Sequence, residues 1–231
     1  MQAATLLLLF RHLHFFVIVS DLPQPPRLHL ETKQYYTYTD PLRLTAFSQQ
    51  GDRLLSTAIP VGSSLDRLLP EPVAPLYLVQ ADPGMNGAVF QCDRPWAVLG
   101  SANHRMGVNG LGPELFFYVP PDCTGFTLGA QSVSPNEGGR LVITRPNGEQ
   151  AAVLDGELDR EEETKVTVPT ACRDAIWSLK WDKPQTSKAG LDDLNFWLDG
   201  NLTPLLFPQR EWAEKHGKLL WERDRAARAE Q

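Results

Sequence analysis

Apolar and polar residues alternate with a period of two through most of the chain, in short runs closed by Pro, Gly, Asn or Asp. A strand turns successive side chains to opposite faces, so this pattern predicts half-buried β-strands joined by turns. Over residues 27–32, Leu28 and Leu30 fall on one face and Arg27, His29 and Glu31 on the other; Leu42, Leu44 and Ala46 repeat the pattern after Asp40-Pro41. Runs at 54–55, 76–79, 87–90 and 96–99 follow. Turns recurring every 8–12 residues or so predict an antiparallel sandwich rather than a parallel α/β sheet. Downstream, runs at 115–119, 125–130, 140–144, 151–154, 164–168, 176–181 and 191–198 bring a second set to about eight strands, which fits a jelly-roll-like sandwich. Arg145-Pro146-Asn147-Gly148 predicts a tight hairpin, since Asn-Gly supplies the positive φ angles of a sharp reversal.

The period changes once. Over residues 211–229, Trp212, His216, Leu219 and Leu220 stand at i, i+4, i+7 and i+8, which predicts an amphipathic helix with one apolar stripe. Gly217 weakens it by about 1 kcal/mol relative to Ala. The stripe needs a sandwich or a neighbouring chain to cover it. At the other end, apolar runs at 6–10 and 15–19 are interrupted by Arg11, His12 and His14. An export signal or anchor and one or two core strands both remain as readings of this segment, although the central charge disfavours a membrane span. Gly and Asn cluster at 100–113 and mark a boundary. The resulting division is an N-terminal apolar segment (1–25), a first sandwich (26–104), a second sandwich (105–207) and a helix (208–231).

A length of 231 residues predicts one or two domains. The 19 prolines and 17 glycines suit many short segments joined by turns. A formal net charge of −6 leaves no basic footprint, so nucleic acid is not an expected partner. The three cysteines, Cys92, Cys123 and Cys172, have no zinc or redox spacing. Cys123 and Cys172 sit in analogous turns and could be bridged, but free, inert thiols are the default.

Several of these segments have the wording of a known family. Leu115-Phe116-Phe117-Tyr118-Val119-Pro120, the strand with Phe126, Thr127 and Leu128, and Leu141 through the Arg145-Pro146-Asn147-Gly148 hairpin resemble β-sandwich domains related to pre-peptidase C-terminal and galactose-binding-like modules. Trp177-Ser178-Leu179-Lys180 and residues 194–200 are similar to the last strands of accessory domains in large bacterial extracellular, glycoside-hydrolase-like proteins. The resemblance covers about residues 105–207, and Arg145 stands where Asp is usual. Upstream, Leu76-Tyr77-Leu78-Val79 and Asn86-Gly87-Ala88-Val89 are similar to the end of an immunoglobulin-like domain. The resemblance implies an all-β chain of two tandem antiparallel sandwiches, immunoglobulin-like then jelly-roll-like. It also implies an ancillary, carbohydrate-associated module in an extracellular or periplasmic setting.

Sugar-binding sandwiches present aromatic rings to pyranose C–H faces beside amides and carboxylates that meet the hydroxyls. Parity separates displayed aromatics from core ones. Trp177, Leu179 and Trp181 share a face and belong to the core. Leu194, Phe196 and Leu198 point inward, so Asp193, Asn195 and Trp197 point out; Tyr118 likewise lies opposite Leu115, Phe117 and Val119. Trp197, Tyr118, Asn195 and Asp193 are therefore the candidate sugar platform. The competing expectation, and the weightier one, is that the helix stripe covers this face. Catalysis finds little support. Glu161-Glu162-Glu163 and Asp192-Asp193 are contiguous acids typical of solvated loops, not a carboxylate pair spaced across a cleft. His12 and His14 lack a third metal ligand. No nucleophile elbow, P-loop or dinucleotide fingerprint occurs, and Gly107 to Gly112 reads as a linker. A structural calcium held by Asp82, Asp192 or Asp193 is the one ion expected, if any. The sequence thus leads to a non-catalytic accessory module for a polysaccharide or glycan. The alternative is a structural or assembly protein that contacts a protein partner or the rest of a larger chain.

Overall fold

The computed structural model describes residues 8–20, 22–70 and 75–229. Residues 1–7 of the predicted N-terminal segment, residue 21 and the last two residues of the predicted tail lie outside them. Among the described residues the chain is all-β apart from a short 3-10 turn, Thr170–Cys172, and one C-terminal helix. It divides into two compact units, Met1–Leu99 with Gly107–Asn109 and Gly100–Met106 with Gly110–Gln231.

The first unit contains β1 (Leu8–Arg11), β2 (His14–Val19), β3 (Arg27–Lys33), β4 (Leu42–Ser48), β5 (Arg53–Ile59), β6 (Ser64–Leu68), β7 (Leu76–Asp82), β8 (Gly87–Cys92), β9 (Trp96–Leu99) and most of β10 (Met106–Asn109). These form two antiparallel layers, in the orders β10-β1-β8-β3-β6 and β9-β2-β7-β4-β5. The N-terminal apolar runs supply β1 and β2, whose Leu8, Phe10, Phe16 and Ile18 are fully buried. Aromatic packing joins the layers. Phe16 of β2 stacks on Phe90 of β8 at 4.0 Å, and Trp96 meets both edge-on at 5.7 and 5.1 Å. On β3 the expected alternation buries Leu28, Leu30 and Thr32. The Thr32 hydroxyl is placed to donate to the Ser63 and Pro60 carbonyls, and its oxygen accepts from the Ser63 N–H, which makes the inward polar residue affordable.

Two strands escaped the alternation. β6 is an edge strand with almost every side chain exposed, so it carries no buried face to be read. β10 lies in the stretch expected to be a linker; it pairs with β1 through Phe10 and Val108, and Met106, Gly107 and Val108 are buried. Within the run that reads as a linker, Gly112 serves packing: a Cβ there would come within 2.0 Å of the Trp181 ring.

The second unit contains β11 (Leu115–Val119), β12 (Gly125–Ser132), β13 (Gly138–Thr144), β14 (Gln150–Glu157), β15 (Glu162–Thr167), β16 (Ala175–Asp182), β17 (Asp193–Gly200), the short β18 (Leu205–Leu206) and α1 (Arg210–Ala229). A three-stranded layer, β15-β12-β17, faces a four-stranded one, β11-β16-β13-β14. Phe117, Phe126, Trp177, Trp181 and Phe196 fill the space between them, and the parity argument for Trp177 and Trp181 holds. Each of these indoles satisfies its buried N–H, Trp177 on the Cys172 carbonyl at 2.8 Å and Trp181 on the Gly110 carbonyl at 2.9 Å. Cys123 and Cys172 are both buried and unbridged. The hairpin forms as expected but by another geometry. Only Gly148 has positive φ, at 85°, and the register slips by one beyond Ile143, so a type I turn closes on a glycine bulge.

Candidate functional site

The four residues expected to form a platform are not brought together. Asp193, Asn195 and Trp197 do share the outward face of β17, as parity requires, opposite Gln131 and Gly129 of β12. Trp197 is nevertheless only 1% exposed. Its indole lies on Gly129, where a Cβ would approach the ring to 2.1 Å, and the Arg105 guanidinium covers it at 3.9 Å. Arg105 is itself held by Gln131 at 3.1 Å and Glu161 at 2.6 Å. The expected stacking face is thus filled by a cation–π contact within the chain.

Tyr118 belongs to the other layer, on the outer side of β11, and is 6% exposed because α1 lies over it. Its hydroxyl donates to Asp174, which also accepts from the Lys218 ammonium at 3.0 Å. Burial first, then the hydrogen bond to the Asp174 carboxylate, pushes the Tyr118 phenol well above its ordinary value. Helical coverage therefore prevails at Tyr118, through a stripe rotated from the predicted one. Ala213, His216, Gly217, Leu220 and Trp221 are buried, whereas Leu219 is 43% exposed. Gly217, expected only to weaken the helix, is its point of closest approach: a Cβ there would lie 2.8 Å from the Tyr118 Cβ.

Among the described residues no group of three or more His, Cys, Asp or Glu side chains is placed to hold a metal ion. Asp82 accepts the Gly84 N–H at 2.9 Å. Burial, then the neighbouring Asp193 and Asp192 carboxylates, raises the Glu137 carboxyl above its usual range. His12 and His14 do not share a strand face: His12 sits in the turn before β2 with φ of 62°, and His14 is buried. The His14 Nε2 accepts the Gly107 N–H at 3.0 Å, and its Nδ1 lies 3.2 Å from the His12 carbonyl, which together fix a neutral Nδ1–H tautomer. Burial is the main cause that lowers its pKa to about 4.

The aromatic display lies elsewhere, in the loop between β3 and β4. Tyr36 is 84% exposed and Tyr38 36%, with ring centroids 6.0 Å apart and planes crossing at 84°. Tyr36 has φ of 48°, a left-handed conformation that costs a residue bearing a Cβ about 1 kcal/mol. A buried side chain maintains this shape. Asn86 accepts the Tyr35 N–H at 3.0 Å and donates to the carbonyls of Asp40 at 3.0 Å and Tyr38 at 3.3 Å. Tyr35 anchors the base of the loop, with its hydroxyl on Asn109 at 3.0 Å and its ring beneath the Arg11 guanidinium at 5.1 Å. The sequence held a signal for this loop that parity does not read: three of the five tyrosines fall within four residues between Lys33 and Asp40, outside any alternating run.

Compared with models of known families and with curated proteins, the chain matches none. Among the described residues no helix is long and apolar enough to cross a membrane.

Proposed function

We propose that this chain is a non-catalytic accessory module of a larger, carbohydrate-associated extracellular system, and that it acts by recognition. The observation that carries this reading is the β3–β4 loop, where a strained backbone and a buried asparagine hold two tyrosine rings in water. Exposed aromatics that a fold invests in presenting mark contact surfaces. In the second unit Trp197 and Tyr118 are covered by Arg105 and α1, and the first unit carries the contact loop.

The test is retention of the purified chain on a panel of insoluble polysaccharides, with bovine serum albumin as the non-binding control. Retention on at least one polysaccharide supports the reading. If the folded chain passes through all of them, the assembly reading takes its place. That second reading draws on the same sealing of Tyr118 and Trp197, which leaves the second unit suited to a supporting role.

A further inference from the structure

We propose that Tyr36 and Tyr38 form a binding corner for an uncharged sugar chain, with Tyr36 as the stacking face. This rests on the recognition reading above and assigns it a site and a ligand class. Three features select the ligand. The first is charge: residues 34–39 read Gln-Tyr-Tyr-Thr-Tyr-Thr and offer amide and hydroxyl groups, while the loop's one charged residue, Asp40, is half-buried and its carboxylate accepts the Met85 N–H. Such a rim suits a neutral polyhydroxylated partner, not an anionic one, which would call for Arg or Lys.

The second is size. An aromatic side chain contributes roughly 150–250 Å² of buried surface. Two rings and the neighbouring half-exposed Met85 therefore fall short of the roughly 800 Å² per partner that a stable protein interface takes. They match one or two sugar rings. The third is shape. Planes crossing at 84° make a corner, not a flat apolar patch. A pyranose whose C–H face lies on the free side of Tyr36 would meet its hydroxyls with the tyrosine OH groups and the Gln34 amide, which already reaches back to the Tyr38 carbonyl at 3.3 Å. The Asn86 clamp fixes the loop before the ligand arrives, which lowers the ordering cost of binding.

The test is affinity electrophoresis of the full chain through gels holding soluble neutral polysaccharides (a mixed-linkage glucan, a xyloglucan, a galactomannan) or anionic polygalacturonate. Retardation by at least one neutral polymer, insensitive to added salt, is expected. Tyr36→Gly is the decisive variant, because glycine accepts the positive φ and removes only the ring, so the fold is kept while affinity falls about tenfold or more. Tyr36→Phe keeps most of the affinity, and Tyr38→Ala loses part of it. If neutral polysaccharide still retards the Tyr36→Gly/Tyr38→Ala double variant as it does the parent, the corner is overturned while recognition stands. Salt-sensitive retardation by polygalacturonate alone overturns the neutral ligand class. If no soluble polysaccharide retards the parent, this site is overturned, and the retention test on insoluble polysaccharides decides whether the recognition reading stands without it.

Discussion

At the scale of single residues, the contact between Trp197, Gly129 and Arg105 separates two kinds of information in a sequence. Parity along β17 sets Trp197 on the face opposite Leu194, Phe196 and Leu198, because that depends only on its neighbours in the strand, but it does not make the ring exposed. What lies on the ring depends on Arg105, which is remote in sequence, and on the missing side chain at Gly129. Gly129→Ala would drive a methyl to 2.1 Å from a ring that Arg105 prevents from lifting, so overpacking should lower stability by about 1–3 kcal/mol. Urea unfolding measures this, and a variant as stable as the parent would show that the ring can move. Arg105→Ala should cost less, about 0.5–2 kcal/mol, while opening the indole to solvent. Acrylamide should then quench a larger share of the tryptophan fluorescence than in the parent. The tyrosine loop was missed for a related reason: its rings belong to no strand, so no inside or outside could be assigned to them.

At the scale of elements, α1 shows how far periodicity reaches. The spacing of Trp212, His216, Leu219 and Leu220 was enough to place a helix, and its bounds lie within a residue of those read from the pattern. It did not fix the rotation, because the stripe is completed by Ala213 and Gly217, which contribute almost no hydrophobic signal yet allow the backbone to reach Tyr118. Gly217→Ala therefore sets two effects against each other. Helix propensity favours alanine by about 1 kcal/mol. The new Cβ would meet the Tyr118 Cβ at 2.8 Å, and neither atom can rotate away, so a clash costing about 1–3 kcal/mol should prevail. Thermal melting should show Gly217→Ala below the parent, whereas Leu219→Lys, on the exposed side, should stay within about 0.5 kcal/mol of it. The opposite ranking would mean that the predicted stripe, not the observed one, faces the sandwich. The strands divide in the same way: β3, β11, β16 and β17 bury one face and could be read, while β6 at an edge and β10 inside a glycine-rich stretch could not.

At the scale of the molecule, the all-β class was legible because alternation is a local property repeated many times, and a single misread strand does not change it. The polar groups enclosed by that fold were not legible, and they govern how it responds to pH. His14 is the sharpest case, since its ring accepts from Gly107, a partner from the far side of the sequence. Folded, it titrates at about 4; unfolded, near 6.5. The hydrogen bond to the His12 carbonyl works against this shift, as do the Leu13 carbonyl and Asp82, while charge on the His12 ring adds to it. Above pH 6.5 the imidazole is neutral in both states and its contribution to stability is complete. As the pH falls from there towards 4, the unfolded chain takes up a proton that the folded chain refuses, so stability is lost across that window. The loss should reach about 2 kcal/mol by pH 5. Asp155 and Asp174 do not confuse the measurement. Burial would raise Asp155, but hydrogen bonds from the Gln185 and Thr186 N–H groups and from Arg140 outweigh it, and the Tyr118 hydroxyl and Lys218 lower Asp174. Groups held below the ordinary carboxylate value of 3.8 lose their contribution as pH falls through a range more acidic than this one. His14→Gln keeps an acceptor for the Gly107 N–H and removes the titration. Chemical unfolding at pH 7 and pH 5, resolved to peptides of the first unit by hydrogen exchange, should show the parent losing stability and the variant holding nearly level. If the two lose stability in parallel, the pH dependence originates somewhere other than this enclosed imidazole.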